Sequence, residues 1–352
     1  MAIIIFIIIL GILIFVHELG HFAFAKLFGI RVDEFGMGFP PRAVRLFKKG
    51  ETEYTLNWIP FGGFVKIHGE DSLDSTDKDF HRSMMAKKWY QQIIVLIAGV
   101  SMNVILAWFI FAGLLMAGSP TLASQTDHPE LLKDVRLTVL AVADNSPAMV
   151  AGMKAGDTIA SFTTTESFTQ AIQNTRKGES VTLAITRGKT ATDVIVTPDE
   201  STVAGKQAIG VSIDMIGMAP GMPFFKALGQ GASNAYHAVG GTFQAFGQLI
   251  TGKVSLGSVS GPVGLTKMVG DAGRIGFSYV ILLAAIISIN LAVINILPLP
   301  ALDGGRIIFV IIEAIIRRPL PKKFVEWTNG IGFMLLILLM IVVSVKDVIH
   351  LF

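Results

Sequence analysis

His17, Glu18 and His21 form the pattern H-E-x-x-H within the stretch VHELGHFAFAKLF. On a helix, residues four apart share a face, so both imidazoles can reach one cation. Two histidines at this spacing suit Zn²⁺, and a glutamate between them suits a general base that takes a proton from water. That is the chemistry of metal-assisted hydrolysis. The setting sharpens the motif. Residues Ala2 to Phe15 are an unbroken apolar run, and the motif continues it. Ionisable side chains at the end of a membrane span are costly to place and point to function. The plainer reading is a helix end with solvated polar residues, and the ligand spacing argues against it.

A catalytic zinc site needs a third protein ligand. The chain has no cysteine, so that ligand must be His, Asp or Glu. Asp303 is the candidate, in the run N-I-L-P-L-P-A-L-D-G-G from Asn295 to Gly305. Pro298 and Pro300 break a helix, while Gly304 and Gly305 allow close backbone approach. A broken helix can aim Asp303 sideways into a bundle. Taken alone, the run reads as a turn with a solvated aspartate. With H-E-x-x-H at matching depth, the ligand is favoured.

The elements that must position these residues are apolar. The chain has 352 residues, 52% of them hydrophobic and 16% charged, and its mean hydropathy is +0.61. Those values exceed an ordinary soluble domain and fit a polytopic α-helical membrane protein with some extramembrane mass. The net charge of +3 is small, and no nucleic-acid partner is expected. Four segments are long enough to span: Ala2 to Ala25, then roughly Ile93 to Ala117, Gly276 to Leu297 and Gly330 to Val345. Ala23-Phe24-Ala25 resembles a signal-peptide cleavage site, but cleavage there would discard both histidines, so the first segment is read as retained. Lys and Arg concentrate after the first and third spans, which predicts that those loops are cytoplasmic. The long 118–275 segment and both termini then lie outside, and the two halves of the metal site share the cytoplasmic side.

Residues 31–68 read as short strands, Arg31 to Phe35, Ala43 to Phe47 and Tyr54 to Ile59, separated by glycine and proline turns. Phe39, Trp58, Phe61 and Phe64 add bulk. Two readings stand level here: a self-packed cytoplasmic hairpin, or a β-element that approaches the metal and holds extended substrate at an open edge. Residues 69–88 read as an exposed connection. Residues 130–199 read as a compact α+β module. It has strands at Val135 to Val142, Asp157 to Phe162, Val181 to Arg187 and Thr190 to Thr197, and helices at Ser146 to Val150 and Ser167 to Thr175. Residues 223–250 read as an amphipathic helix with a stripe of Phe225, Leu228, Ala232, Tyr236, Val239, Phe243, Phe246 and Ile250. It either packs on the module or the spans, or lies in the outer membrane interface. Gly257, Gly261-Pro262 and Gly264 break the chain before the third span. His68, His81, His128, His237 and His350 read as polar surface.

Taken together, HELGH, the N-x-x-P-x-P-x-LDGG run and SPAMVAGMKAGD resemble the site-2 protease family of intramembrane zinc metalloproteases, in its regulator-of-sigma-E protease type. The resemblance covers nearly the whole chain. It implies four transmembrane helices, a membrane-associated β-region and an extracytoplasmic PDZ domain. By motif, His17, His21 and Asp303 become the zinc ligands, Glu18 the catalytic base, and Asn295 a residue near the active centre. Gly261-Pro262-Val263-Gly264 also matches a family motif. Some members carry two tandem PDZ domains, and this chain has room for one. Its peptide-binding loop is expected within 131–140, with the groove against the 167–175 helix. A purely steric PDZ stays open as an alternative.

The implied organisation is a first span at 1–27, a cytoplasmic-side β-region and loop at 28–90, and a second span at 91–118. The PDZ domain follows at 119–205 and a linker with the amphipathic helix at 206–275. The third span with LDGG is at 276–304, a cytoplasmic loop at 305–329 and the fourth span at 330–352. The expected activity is cleavage of single-span proteins within a bacterial plasma membrane, on substrates such as trimmed anti-sigma factors or remnant signal peptides. Asn103, Tyr54 and Trp58 are candidate substrate contacts, with an interhelical hydrogen bond as the alternative for Asn103. Two rival functions stand beside this one: an inactive PDZ scaffold and a zinc transporter. The retained base argues against the first, and the bare first span against the second.

Overall fold

The computed structural model describes residues 1–70, 78–118, 120–125, 129–188, 190–200, 206–254 and 260–351. Gly257 and His128 lie outside them. Four helices are long and apolar enough to cross a membrane: α1 (Ala2–Leu27), α2 (Trp89–Ala117), α7 (Phe277–Ile296) and α9 (Lys322–Leu351). The first three pack side by side, and α9 stands mostly free, with its leucines and isoleucines exposed. Small residues let the inner helices meet. A Cβ on Gly20 of α1 would lie 2.8 Å from the Cα of Gly99 on α2, so the two backbones touch there.

After α1 the chain forms two long strands, β1 (Val32–Lys49) and β2 (Thr52–Ile67), in place of three short ones. Each strand bends, and the hairpin folds back on itself. Phe35 therefore pairs with Tyr54 on one side and Val65 on the other. The sequence conceals this because Pro40-Pro41 and Gly62-Gly63 look like strand ends, whereas they mark the bends. Arg42 ties the layers together through Glu34 at 2.7 Å and Glu53 at 2.6 Å. Burial alone would raise the Glu34 carboxyl, but hydrogen bonds from Arg42 and Thr55 prevail and hold it below the usual carboxylate range. The side chains of Phe39 and Phe61 are outside the described set.

The stretch after the hairpin is more than an exposed connection. Ser83 and Met84 are buried, Arg31 pairs with Asp79 at 2.5 Å, and Arg82 pairs with Glu51. Met84 joins Ile30, Val32, Ile67, Val95 and Leu96 in a core between α1, the hairpin and α2.

A six-stranded sheet follows α2, in the order β3-β8-β4-β5-β6-β7. Its strands are β3 (Pro120–Leu122), β4 (Lys133–Val142), β5 (Thr158–Ile159), β6 (Val181–Arg187), β7 (Thr190–Val196) and β8 (Val211–Met218), with helices α3 (Pro147–Val150) and α4 (Thr165–Gln173). Ser146 caps α3 by accepting from the Met149 amide, and Pro147 occupies its first turn. Leu137, Val139, Ile159, Leu183 and Ile185 from the sheet pack on Phe168 and Ile172 of α4. The expected 157–162 strand shrinks to two residues. The unit also extends beyond 119–205: β8 lies at 211–218, where a linker was expected, and pairs with both β3 and β4. Its alternation of Val211, Ile213 and Met215 is real but short, and only the strands beside it make it a central strand.

Helix α5 (Phe224–Ile250) forms as expected and packs on α2 and α7. It does so through a face that shares only part of the expected stripe: Val239 and Phe246 pack inward. Ala227, Gly231 and Ala235 are buried, while Phe225, Tyr236 and Ile250 point outward. Close backbone approach decides the contact: a Cβ on Gly231 would lie 2.9 Å from the Ala112 nitrogen. The Trp108 indole donates to the Leu228 carbonyl at 2.8 Å, and Thr242 donates to Asn290 at 2.9 Å. Helix α6 (Pro262–Ile275) then begins at Gly261. The amides of Gly261 and Gly264 each donate to Asp347 of α9 at 2.8 Å. After α7 the chain breaks at Leu297–Leu302 and restarts as α8 (Asp303–Ile316), so residues 305–316 are helix where a loop was expected. Val310 and Ile307 pack this helix against Val95 and Leu96 of α2, while Ile308, Ile311, Ile312, Ile315 and Ile316 form an exposed apolar face.

Candidate active site

Two helices far apart in the chain deliver the chemistry to one place. His17 and His21 lie on the buried face of α1. Asp303 opens α8. The glycines after Asp303 explain how it arrives. A Cβ on Gly304 or Gly305 would run into the carbonyls of the 296–299 break, so only glycine lets the start of α8 fold against it.

His17 Nε2 lies 3.0 Å from Asp303 Oδ2, and His21 Nε2 lies 3.1 Å from His17 Nε2 and 3.5 Å from the same carboxylate oxygen. Three donor atoms of the types that bind zinc thus converge, and both histidines are buried. The outer nitrogens are also held. His21 Nδ1 donates to the Val95 carbonyl of α2 at 2.8 Å, which leaves the Nε2 lone pair to face a cation. His17 Nδ1 is 3.3 Å from the Asn103 side-chain amide, and the Asn103 oxygen is buried without a hydrogen-bond partner. Turning that amide over lets His17 Nδ1–H donate to the oxygen and leaves His17 Nε2 as a lone pair too. The donor set therefore fits a zinc ion.

Glu18 lies in the same cavity, about 370 Å³ in volume, with the three candidate ligands and Asn295. The second strand of the hairpin forms another wall. Gly63, Phe64 and Val65 border the cavity, and the Val65 backbone hydrogen-bonds Glu18. Gly63 fits because a Cβ there would lie 2.9 Å from Glu18 Cγ. Residues 63–67 pair with β1 on one side, and their other edge faces α1. Two residues of the cavity escaped the sequence reading. Glu70 and Arg306 pair with each other across 236 positions and line the site. Arg306, three residues after Asp303, was the available signal.

The three candidate substrate contacts lie apart from the cavity. Asn103 is buried behind His17. Tyr54 stacks on Phe47 within the hairpin, with ring centroids 4.4 Å apart. Trp58 is 72% exposed on the hairpin surface. In the α+β unit, a groove of about 330 Å³ runs beside Val135–Leu137, within the expected 131–140. Thr158, Phe162 and Thr186 line it, and α4 does not, because α4 packs toward β8 instead.

A family profile described as peptidase family M50 matches residues 5–339. A Clostridium perfringens protein, provisionally named a zinc metalloprotease, is 38% identical over 345 residues, which cover 96% of this chain and 95% of the relative. A Nostoc protein with the same provisional name is 35% identical over 356 residues, covering 96% and 93%. Zinc metalloprotease RasP of Geobacillus kaustophilus is 31% identical over 430 residues, covering 99% and 97%. With its four apolar helices and its His-His-Asp cluster, the chain belongs to peptidase family M50, the site-2 protease family of zinc metalloproteases.

Proposed function

We propose that this protein is an intramembrane endopeptidase that cuts single-span membrane proteins within their membrane segments. The observation that carries this is one cavity, at the inner ends of apolar helices, that joins a His-His-Asp donor set to a glutamate and a strand edge. His17, His21 and Asp303 hold the zinc. Bound there, zinc supplies a Lewis acid that lowers the pKa of water and polarises a peptide carbonyl.

The chain's own residues do the rest. The Glu18 carboxylate takes a proton from water and passes it to the leaving amide nitrogen. Asn295 donates from its side-chain amide to the substrate carbonyl oxygen. Asn103 and the Val95 carbonyl orient the two imidazoles. A substrate helix hides its carbonyls in its own hydrogen bonds, so it must unwind before attack. The free edge of residues 63–67 takes up the unwound segment as an added strand. Such an edge is tolerated at membrane depth because it borders a cavity walled by α1 and the hairpin.

The excess of Lys and Arg after α1 and α7 supports an active site near the cytoplasmic face of a bacterial plasma membrane. The six-stranded unit lies outside as a single PDZ domain of the regulator-of-sigma-E protease type. It selects substrates that another protease has already trimmed, through a bound peptide or by bulk. The test is to reconstitute the protein with a single-span substrate and map the cut by mass spectrometry. A cut inside the hydrophobic segment is expected. Cuts confined to soluble flanks, or none with zinc bound, would sink the proposal.

A further inference from the structure

A second cavity lies away from the catalytic site, between the start of α2 and the end of α8. It measures about 600 Å³. Arg317, Arg318 and Lys322 border it, with Trp89 and Gln92 on the opposite wall. One carboxylate, Glu313, also borders it, and its Oε1 accepts from the Leu320 amide at 2.8 Å. None of the three cations forms an ion pair among the described residues. Three positive charges thus share a recess with one negative charge that is already directed at backbone.

Apolar surface adjoins this recess. Ile311 and Ile315 of α8 are exposed one turn apart, with Ile315 75% exposed. Trp89 and Tyr90 are exposed where α2 begins, the position of aromatic residues at a membrane interface. Lys88 sits over the Tyr90 ring, 5.8 Å from its centroid. Cations that meet an apolar wall at this level match a molecule with an anionic head and a hydrocarbon tail. Topology alone calls for positive charge on this side, but not for three cations gathered around one cavity.

We infer that the recess between α2 and α8 is a binding site for the headgroup of an anionic phospholipid, its phosphate held by Arg317, Arg318 and Lys322. The acyl chains lie along the isoleucine face of α8. Guanidinium pairs suit phosphate because two N–H donors can meet two oxygens. Helix α8 carries the site at its C-terminal end and Asp303 at its N-terminal end, so the lipid braces the element that presents a metal ligand. The inference rests on the membrane reading of the chain.

The test is native mass spectrometry of the delipidated protein in detergent, titrated with phosphatidylglycerol or with phosphatidylcholine of identical acyl chains. Phosphatidylglycerol should bind tighter by on the order of 100-fold, with each of Arg317→Gln, Arg318→Gln and Lys322→Gln costing about fivefold. Glu313→Gln keeps an acceptor for Leu320 and removes the opposing charge, so it should tighten binding. Equal binding of the two lipids would overturn the site. So would an equal loss in the hairpin variant Lys48→Gln/Lys49→Gln, which would show diffuse attraction only. Full displacement by inorganic phosphate would reduce the recess to a free-anion site and overturn the lipid. A chain that stays dispersed without detergent would remove the membrane reading and this inference together. A detergent-dependent chain with no lipid preference would remove this inference alone.

Discussion

Gly20 lies in the middle of H-E-x-x-H, yet it touches no metal. Its substitution by alanine tests whether α1 and α2 together set the donor geometry. A Cβ there would lie 2.7 Å from the Ala98 carbonyl carbon and 2.8 Å from Gly99 Cα, with the Ala98 oxygen closer still. Ordinary contact begins near 3.4 Å, and the opposing atoms are backbone, which cannot swing aside. The oxygen, as the nearest atom, sets the displacement, so the helices must part by about 1 Å, at an overpacking cost of about 1 to 3 kcal/mol. His21 is the next residue, and its 2.8 Å bond to the Val95 carbonyl bridges the same seam. Widening by that amount takes the bond to about 3.8 Å, beyond useful hydrogen-bond length. Losing the partner that orients a metal-bound imidazole costs about 10- to 100-fold in metal affinity. Gly20→Ala should therefore weaken zinc by that factor with every ligand intact. Competition against a fluorescent chelator measures it, with Gly11→Ala as control, because nothing lies within 4 Å of a Cβ at Gly11. A folded Gly20→Ala protein with wild-type zinc affinity would refute the reasoning.

Asn103→Leu removes the partner of His17 Nδ1 and should also lower zinc affinity about 10- to 100-fold; unchanged affinity in a metal titration would free Asn103 of any role at the site. Asp303→Ala should lower zinc occupancy, measured by elemental analysis, and full occupancy would exclude it as a ligand. Asp347→Ala strips two amides at the start of α6, one buried and one half-buried, of their shared acceptor and should destabilise the solubilised protein by roughly 2 kcal/mol. Thermal unfolding checks this, and an unchanged midpoint counts against the contact. Arg187→Gln leaves Asp157, which is fully buried, without its bidentate partner at 2.7 Å. The loss should be about 1 to 3 kcal/mol, because Arg187 is half-exposed, and is read as earlier proteolysis within the six-stranded unit.

The parts of the molecule that were legible in the sequence are those coded by short-range pattern. The four apolar helices are continuous runs, and H-E-x-x-H carries its own geometry on a helix. Asp303 was legible because Pro298, Pro300, Gly304 and Gly305 announce a break that turns it. What escaped depends on partners distant in the chain. The doubled-back hairpin could not be read because its bends look like strand ends, and only the pairing of Phe35 with both Tyr54 and Val65 reveals a sheet. Strand β8 is central only once β3 and β4 flank it. On α5, Val239 and Phe246 of the expected stripe do pack inward, but the most buried contacts fall to Ala227, Gly231 and Ala235, because small residues let helices in apolar surroundings approach closely. Glu70 was invisible as a site residue, since its partner Arg306 is 236 positions away.

Metal content and cleavage, measured on one preparation of wild type and Glu18→Gln side by side, test the central claim most directly. One zinc per chain is expected in both proteins. Cleavage of a single-span substrate is expected in the wild type alone, and should cease when a chelator removes the metal. Undiminished cleavage by Glu18→Gln, or by a zinc-free chain, would contradict the assignment of the His17–Glu18–His21–Asp303 cluster as the catalytic centre.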